Sequence, residues 1–242
     1  MDTWMDEFCH DLGQAADAET IFEGVVRAAT ALGFEHCAYG ARRALPMAQP
    51  RTVLLNTYDG RWQQRYVEAG YLSVDPVVAH GGRHAEPVVW SDALFRGAAQ
   101  MWDEACGFGL AVGWSQSCFD AQGHAGLLSL ARSHEPLREV ELHEKEPLLR
   151  WLVNVAHLAL STALLREEHA RLPLTEREDE ILRWTADGKT SPEIAQILQL
   201  SVNTVNFHVK HALIKLGAAT KASAVACLIA QFPHFPQRPP LH

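Results

Sequence analysis

The sequence has no closely spaced cysteine pair, no long apolar run and no overall positive charge. Its five cysteines are scattered and form no CxxC pair, so we expect neither a zinc site nor a disulfide framework. The most apolar stretch, Trp151 to Leu165, is shorter than the ~20 residues of a membrane span and contains Asn154 and His157. The acidic start, Met1 to Glu7, is unlike a secretory signal. We therefore expect a cytoplasmic protein with no membrane association and no bound metal.

The composition is that of a globular protein, with 48% hydrophobic and 21% charged residues in a chain of 242. The net charge of −8 argues against a nucleic-acid partner until its distribution is considered. From Ile194 to His242 there is no aspartate or glutamate, whereas three lysines and one arginine remain. A basic surface confined to the C-terminal part is compatible with phosphate binding, although the charge bias alone is a weak signal.

A charged stretch ending at Pro173 divides the chain. We predict a first domain over residues 1–165, a linker over 166–173 and a second domain over 174–242. In the first domain, alternating residues predict four strands: Cys37–Arg42, Thr52–Asn56, Gly113–Phe119 and Gly126–Ala131. Helical spacing predicts three helices: Ile21–Leu32, Trp62–Ala69 and Leu148–Leu165. This order predicts an α+β fold, with an N-terminal α/β/α sandwich around a central antiparallel sheet.

The second domain is predicted to be all-α, with four helices. Thr175 and Glu178 have the spacing of a capping box that starts the first helix. We predict that Ser191 caps the second helix, with Pro192 as its first residue, and that Ser201 caps a third helix ending at Leu216. A short turn between two such helices is typical of a helix-turn-helix.

One face of the third helix is predicted to pack on the domain, through Val202, Val205, Val209, Leu213 and Leu216. The opposite face carries groups suited to DNA. Amides can contact base edges, an aromatic ring can contact a thymine methyl, and a lysine can contact phosphate or guanine. The candidate DNA-binding residues are Asn203, Thr204, Asn206, Phe207, Lys210 and His211. An ordinary solvated face is the alternative, but an exposed phenylalanine beside amides and a lysine argues against it.

The segment Leu174-Thr175-Glu176-Arg177-Glu178 resembles the start of the LuxR-type DNA-binding domain. The resemblance continues through about 60 residues: Ile181-Leu182, Gly188-Lys189, Glu193-Ile194-Ala195, Leu200-Ser201, Thr204-Val205, His208-Val209 and Lys215-Leu216-Gly217. In that family Glu178, Leu182 and Gly188 match near-invariant positions. The resemblance implies binding to promoter DNA.

Several residues of the first domain suit a small-molecule pocket. Trp62 and Tyr66 share a helix face, and Asp75, Trp90 and Ser129 would add a carboxylate, an indole and a hydroxyl. A carboxylate can accept from a ligand amide, while indole and phenol groups donate to carbonyls. Each residue also has an ordinary explanation: Asp75 would cap a helix, and the aromatic residues would belong to the core.

The pattern Trp62-x3-Tyr66-x8-Asp75-Pro76 is similar to the autoinducer-binding domain of acyl-homoserine-lactone regulators. Further matches are Val89-Trp90-Ser91-Asp92, Trp102-x-Glu104-Ala105, Gly109-x3-Gly113 and Leu128-Ser129-Leu130-Ala131-Arg132. The resemblance implies that Trp62 binds the lactone carbonyl and Asp75 the amide N–H. It also implies that Tyr66 and Ser129 bind the acyl carbonyl, while Trp90 lines the head-group end. The full candidate ligand set is Tyr58, Trp62, Tyr66, Tyr71, Asp75, Trp90, Gly113 and Ser129.

Together the two resemblances identify the chain as a LuxR-family quorum-sensing transcriptional regulator with no catalytic residues and no cofactor. They imply a homodimer on a palindromic site, with RNA polymerase as a further expected partner. A two-component response regulator is disfavoured, because Asp2, Asp6, Glu7 and Asp11 do not follow strands. An enzyme is disfavoured because HExxH, GxSxG and Walker motifs are missing. A regulator that responds to another ligand, or to none, remains the alternative.

Overall fold

The structure, a computed structural model, describes residues 3–15, 17–42, 52–120, 123–171 and 174–231. The chain divides into two compact units. The first consists of Met1–Arg42, Thr52–Asp120 and His124–Leu164, and the second includes Leu165–His242. We describe each unit by itself.

A five-stranded antiparallel sheet forms the centre of the first unit, in the order β2-β1-β5-β4-β3. The strands are β1 (His36–Arg42), β2 (Thr52–Asn56), β3 (Val88–Val89), β4 (Val112–Phe119) and β5 (Ala125–Arg132). The four predicted strands are confirmed, each to within one residue at either end. The two-residue β3 escaped prediction because it is too short to show an alternating pattern.

Helices cover both faces of this sheet, which confirms the predicted α/β/α sandwich. One face packs against α1 (Thr3–Gln14), α2 (Ala18–Ala31) and α6 (Glu139–Arg171). The other face packs against α3 (Gly60–Glu68), α4 (Pro76–Gly81), α5 (Ala99–Gly107) and two 3-10 turns, Tyr71–Ser73 and Leu94–Ala98. Alternate residues of β4 and β5 therefore face two different clusters.

The helix α6 is longer than predicted and continues to Arg171, through most of the predicted linker. Charged residues such as Arg166 and Glu167 are good helix formers, so the charge of this stretch does not end the helix. By length and composition, Glu139–Glu167 could cross a membrane. However, Leu149, Leu152 and Leu160 are completely buried against the sheet, as in a core helix. The other domain bounds stay predictions.

The second unit contains the four predicted helices, α7 (Glu176–Ala186), α8 (Ser191–Ile197), α9 (Val202–Leu216) and α10 (Lys221–Gln231). Two small apolar clusters hold them together. Ile181, Ile194 and Val205 join α7, α8 and α9, whereas Leu182, Ala212 and Leu228 join α7, α9 and α10. The turn between α8 and α9 includes Gln199, whose φ of 54° lies in the left-handed region.

Gly126 of β5 lies directly against α6. A Cβ atom there would be 2.3 Å from Nδ1 of His157, which is buried and hydrogen-bonded to the Tyr39 hydroxyl at 2.8 Å. We expect Gly126→Ala to destabilise the first unit by ~1–3 kcal/mol, because this buried imidazole has no room to move. The matched control is Gly40→Ala in β1, where a Cβ would meet only Leu54 Cδ1, at 3.9 Å. Urea unfolding followed by tryptophan fluorescence checks this, and equal midpoints for the two variants would contradict it.

Candidate ligand-binding and DNA-binding sites

A tyrosine–aspartate pair joins α3 to the start of α4. Asp75 is the N-cap of α4, and its Oδ1 accepts the backbone N–H of Val77 at 2.8 Å. The Tyr66 hydroxyl donates to Oδ2 of the same carboxylate at 2.9 Å. Burial raises the pKa of Asp75, and these hydrogen bonds only partly oppose that shift. Asp75 is thus both a helix cap and a polar group beside an apolar cluster.

Aromatic rings surround Trp62, whose exposure is only 3%. Its ring centroid lies 5.8 Å from those of Tyr66 and Phe108, and 5.9 Å from that of Tyr71. On the rim, Arg65 of α3 pairs with Glu104 of α5 through two hydrogen bonds, of 2.7 and 2.8 Å. This pair links α3 to α5 at the edge of the aromatic cluster.

A second polar chain comes from the sheet. The Trp90 indole N–H donates to Ser115 Oγ at 2.9 Å, and Ser115 Oγ donates to Ser129 Oγ at 2.8 Å. Both serines are buried, on the neighbouring strands β4 and β5. Gly113 allows this arrangement, because a Cβ there would lie 2.2 Å from the Trp90 ring. The indole therefore packs closely against the backbone of β4 at Gly113.

The structure brings all eight candidate ligand-binding residues to this one face of the sheet. The aromatic members, Tyr58, Trp62, Tyr66, Tyr71 and Trp90, belong to one apolar cluster. Asp75 joins it through Tyr66, Ser129 through Ser115, and Gly113 through its contact with Trp90. Apolar walls with a few hydrogen-bonding groups are suited to a small amphiphilic molecule.

The sequence reasoning missed Ser115 and Phe108, which belong to the same face. A signal for Ser115 was present: Gly113, Ser115 and Ser117 alternate along β4, so small residues line one side of the strand. Phe108 follows α5 and had no such pattern, because its position depends on how that helix packs against α3.

In the second unit, helix starts are secured by side-chain hydrogen bonds. Thr175 and Glu178 form the predicted capping box of α7. The prediction for α8 was wrong by one residue: Thr190 is the N-cap, and both its N–H and its hydroxyl donate to Glu193. Thr190-x-x-Glu193 satisfies the capping rule better than Ser191 does. Ser191 is instead the first residue of α8, and its hydroxyl is available for other partners.

A buried ion pair ties α7 to α9. Glu178 is almost completely buried, and its Oε2 accepts from Lys215 Nζ at 2.7 Å. Burial alone would raise the pKa of Glu178, but the Lys215 ammonium and the Thr175 N–H outweigh it and hold the pKa below its usual value. The charge of Lys215 is therefore used inside the unit, unlike that of the exposed Lys210.

The packed face of α9 is formed by Val205, Val209 and Ala212, which are buried, with Leu213 and Leu216 at its edges. The prediction that Val202 belongs to this face was wrong: Val202 is the first residue of α9 and is 39% exposed. Ile214 is 66% exposed, and nothing in the structure explains it.

The predicted outward face of α9 is largely solvent-accessible. Five of the six candidate DNA-binding residues are exposed: Asn203, Asn206, Phe207, Lys210 and His211. Phe207 is 55% exposed, and its ring lies 4.2 Å from that of His211. Thr204 is half-buried, and both its N–H and its hydroxyl are hydrogen-bonded to the cap residue Ser201. Asn206 Oδ1 accepts from Ser191 of α8 at 2.8 Å.

The fold and the two sites define a regulator with a small-molecule unit and a helix-turn-helix unit. Comparisons with known families agree. Residues 17–160 match the autoinducer binding domain, and residues 172–228 match bacterial regulatory proteins of the luxR family. The chain belongs to the LuxR family of quorum-sensing transcriptional regulators, which confirms the family expected from the sequence.

Relatives and solved structures extend over most of the chain. It is 40% identical to the transcriptional activator SolR of Ralstonia solanacearum, covering 91% of this chain and 94% of SolR. The N-acylhomoserine lactone dependent factor CepR2 of Burkholderia cenocepacia aligns at a TM-score of 0.62, with 34% identity, over 67% of this chain and 95% of that one. SdiA in complex with octanoyl-rac-glycerol aligns at 0.68, with 30% identity, over 94% and 93%. The relatives are transcriptional regulators, a family without enzymatic activity, as expected.

Proposed function

We propose that this chain is a quorum-sensing regulator that binds an N-acyl-homoserine lactone and, as a homodimer in the cytoplasm, binds a palindromic promoter site. The lactone proposal rests on one observation: two hydrogen-bonded groups of polar residues contact the same apolar cluster. Tyr66 and Asp75 form one group, and Trp90, Ser115 and Ser129 form the other. CepR2, described as lactone-dependent, shares the fold and 34% of its residues with this chain, which supports the proposal.

The chemistry of an acyl-homoserine lactone matches these groups one by one. Its amide N–H is a donor, and Asp75 is a carboxylate whose oxygens each have two lone pairs, enough for the internal bonds and one more. Its amide carbonyl is an acceptor for the hydroxyl of Ser129 and for that of Tyr66, whose single hydrogen would turn from Asp75 Oδ2 to the ligand. Its lactone carbonyl is an acceptor for the indole of Trp62. The remaining surface of the ligand is apolar, like the cluster.

The alternative is a regulator that responds to a different ligand or to none. It has a specific basis, because SdiA, which shares this fold, was solved in complex with octanoyl-rac-glycerol. An octanoyl-glycerol has no amide N–H, but its free hydroxyls can donate to Asp75 just as the lactone amide would. The two ligand classes are therefore distinguished by comparing the thermal stabilisation that each gives the wild type.

We expect Asp75→Asn to weaken lactone binding roughly tenfold or more, since one lost hydrogen bond to the ligand costs ~1–3 kcal/mol. Trp62→Phe should do the same by removing the donor to the lactone carbonyl. Asparagine still caps a helix, so α4 is retained. The measurement is thermal stabilisation of the protein by lactones of increasing acyl length, because a ligand of the folded state raises stability.

Asp59→Asn is the matched control, because Asp59 caps α3 as Asp75 caps α4 but is exposed. Its lactone response should equal that of the wild type. Octanoyl-glycerol is the second probe, and we expect it to stabilise the wild type less than a lactone of the same acyl length does. If soluble Asp75→Asn protein responded to lactone with the same dose dependence as the wild type, the assignment of Asp75 to the site would be wrong.

A homodimer is expected because one helix-turn-helix contacts only a few base pairs, and two copies reach half-sites ~10 base pairs apart or a multiple of that. The helix α10 has apolar surface available for pairing, including Ile229, which is about half exposed. Light scattering of the lactone-bound protein on a duplex selected from a random pool should give two chains per duplex. A single chain at saturation would refute the dimer.

We expect the outward residues of α9 to divide by role. Lys210 and Thr204 should contact phosphates. Lys210→Ala should therefore weaken binding to selected and scrambled duplexes about equally, and lower the slope of log affinity against log salt concentration by about one charge. Asn203, Asn206 and Phe207 should contact bases, with His211 beside them. Asn206→Ala or Phe207→Ala should therefore cost ~1–3 kcal/mol on the selected duplex only. Titrations at two salt concentrations separate the classes; a loss confined to the selected duplex for Lys210→Ala would contradict this division.

A further inference from the structure

Three helices of the second unit meet in a chain of hydrogen bonds that ends on the DNA-facing side of α9. Lys221, the first residue of α10, donates from Nζ to Ser191 Oγ at 2.7 Å. Ser191, the first residue of α8, donates from Oγ to Asn206 Oδ1 at 2.8 Å. Ser191 is only 9% exposed, so water competes little for its hydroxyl. Asn206 itself is exposed at the other end of the chain.

The direction of this chain follows from the donors available. A lysine ammonium has three hydrogens and no lone pair, so it can only donate, and Ser191 Oγ must be the acceptor. The single hydroxyl hydrogen of Ser191 is then free for another partner, and in the structure that partner is Asn206 Oδ1. In the Asn206 side chain only the carbonyl oxygen accepts, because the amide nitrogen is a donor. Because the Lys221 ammonium polarises Ser191 Oγ and makes it a better donor, it favours the orientation in which the amide oxygen is turned inward.

An amide held in this way presents its Nδ2 hydrogens to DNA, because its oxygen is turned toward the buried Ser191. Adenine presents an acceptor, N7, beside a donor, N6–H₂, in the major groove, and an asparagine reads it by using its oxygen and its nitrogen together. In Asn206, Ser191 engages one lone pair of the oxygen and the oxygen is turned toward this buried hydroxyl, an arrangement that disfavours the two-point contact. Guanine presents two adjacent acceptors, N7 and O6, and suits a group that only donates.

We propose that Lys221 and Ser191 act as positioning residues that make Asn206 a donor-only reader, and that α9 consequently selects a G·C pair at the position Asn206 contacts. The proposal rests on the DNA-binding function proposed above and adds the base it reads. It also assigns Lys221 and Ser191, which do not lie on α9, a part in sequence preference. Asparagine at this position would otherwise be expected to favour adenine.

The first experiment is selection from a pool of random duplexes by the lactone-bound full-length wild type and by Asn206→Ala. We expect both to enrich related sequences, with preference lost at one base pair per half-site in Asn206→Ala, and that pair to be G·C in the wild type. If the affected pair is A·T, or if no pair is affected, this inference is wrong while DNA binding stands. If the wild type enriches no sequence, the DNA-binding proposal fails and this inference fails with it.

The second experiment uses the wild-type protein and changes only the DNA. Replacing the guanine of that pair by 7-deazaguanine removes N7, and we expect the affinity of the wild type to fall roughly fivefold or more. Asn206→Ala should not distinguish the two duplexes. An equal effect on both proteins, or none on the wild type, would overturn the contact.

The positioning role is tested by Ser191→Ala, which removes the acceptor of Lys221 and the donor to Asn206. With the amide able to turn, we expect the G·C preference at that pair to relax and A·T to be accepted, while affinity for scrambled duplexes and the salt slope stay unchanged. The matched control is Ser223→Ala, because Ser223 is a half-buried serine of α10 that takes no part in the hydrogen bonds from Lys221 to Asn206. Unchanged G·C preference in folded Ser191→Ala protein would show that Ser191 does not orient Asn206.

Discussion

The first unit depends on the two-residue alternation of β4 and β5. Residues such as Trp114 and Leu130 face α6 and are completely buried in one cluster, while their neighbours Ser115 and Ser129 face the other. Because a strand cannot shift by one residue without exchanging its two faces, the core on one side determines which groups are presented on the other. The hydroxyl pair of the candidate site is therefore positioned by apolar packing on the opposite side of the sheet.

Internal hydrogen bonds explain how a site with several polar groups can lie beside an apolar cluster. Asp75 and Ser115 both have internal partners: Asp75 has the start of α4 and Tyr66, and Ser115 has Trp90 and Ser129. A buried polar group without a partner is costly, so internal hydrogen bonds let the cluster hold these residues in place. In the second unit Glu178, Lys215 and the caps perform this function for α7 and α9.

Much of this arrangement could be predicted from the sequence, because its signals are local. Apolar and polar residues alternate along the strands, and α9 has a cap at Ser201 and an apolar stripe. The predicted bounds of these elements are therefore nearly those of the structure. The cap of α8 was misassigned because Ser191 before Pro192 also fits a capping pattern, although the Thr190-x-x-Glu193 spacing favours Thr190, as its bonds to Glu193 show. The contact of Asn206 with Ser191 could not be predicted, since it depends on where three helices cross.

The dual use of Asp75 affects how sequences of related regulators should be compared. Its carboxylate holds the first turn of α4 whatever the neighbouring cluster binds, because Oδ1 bonds to the backbone of Val77. A descendant that no longer sensed a lactone would still be under selection to keep an aspartate or another good cap at this position. Retention of this aspartate is thus poor evidence of ligand class. Substitutions at Tyr66 or Ser129, which cap no helix, would report more directly that a lineage had changed its signal.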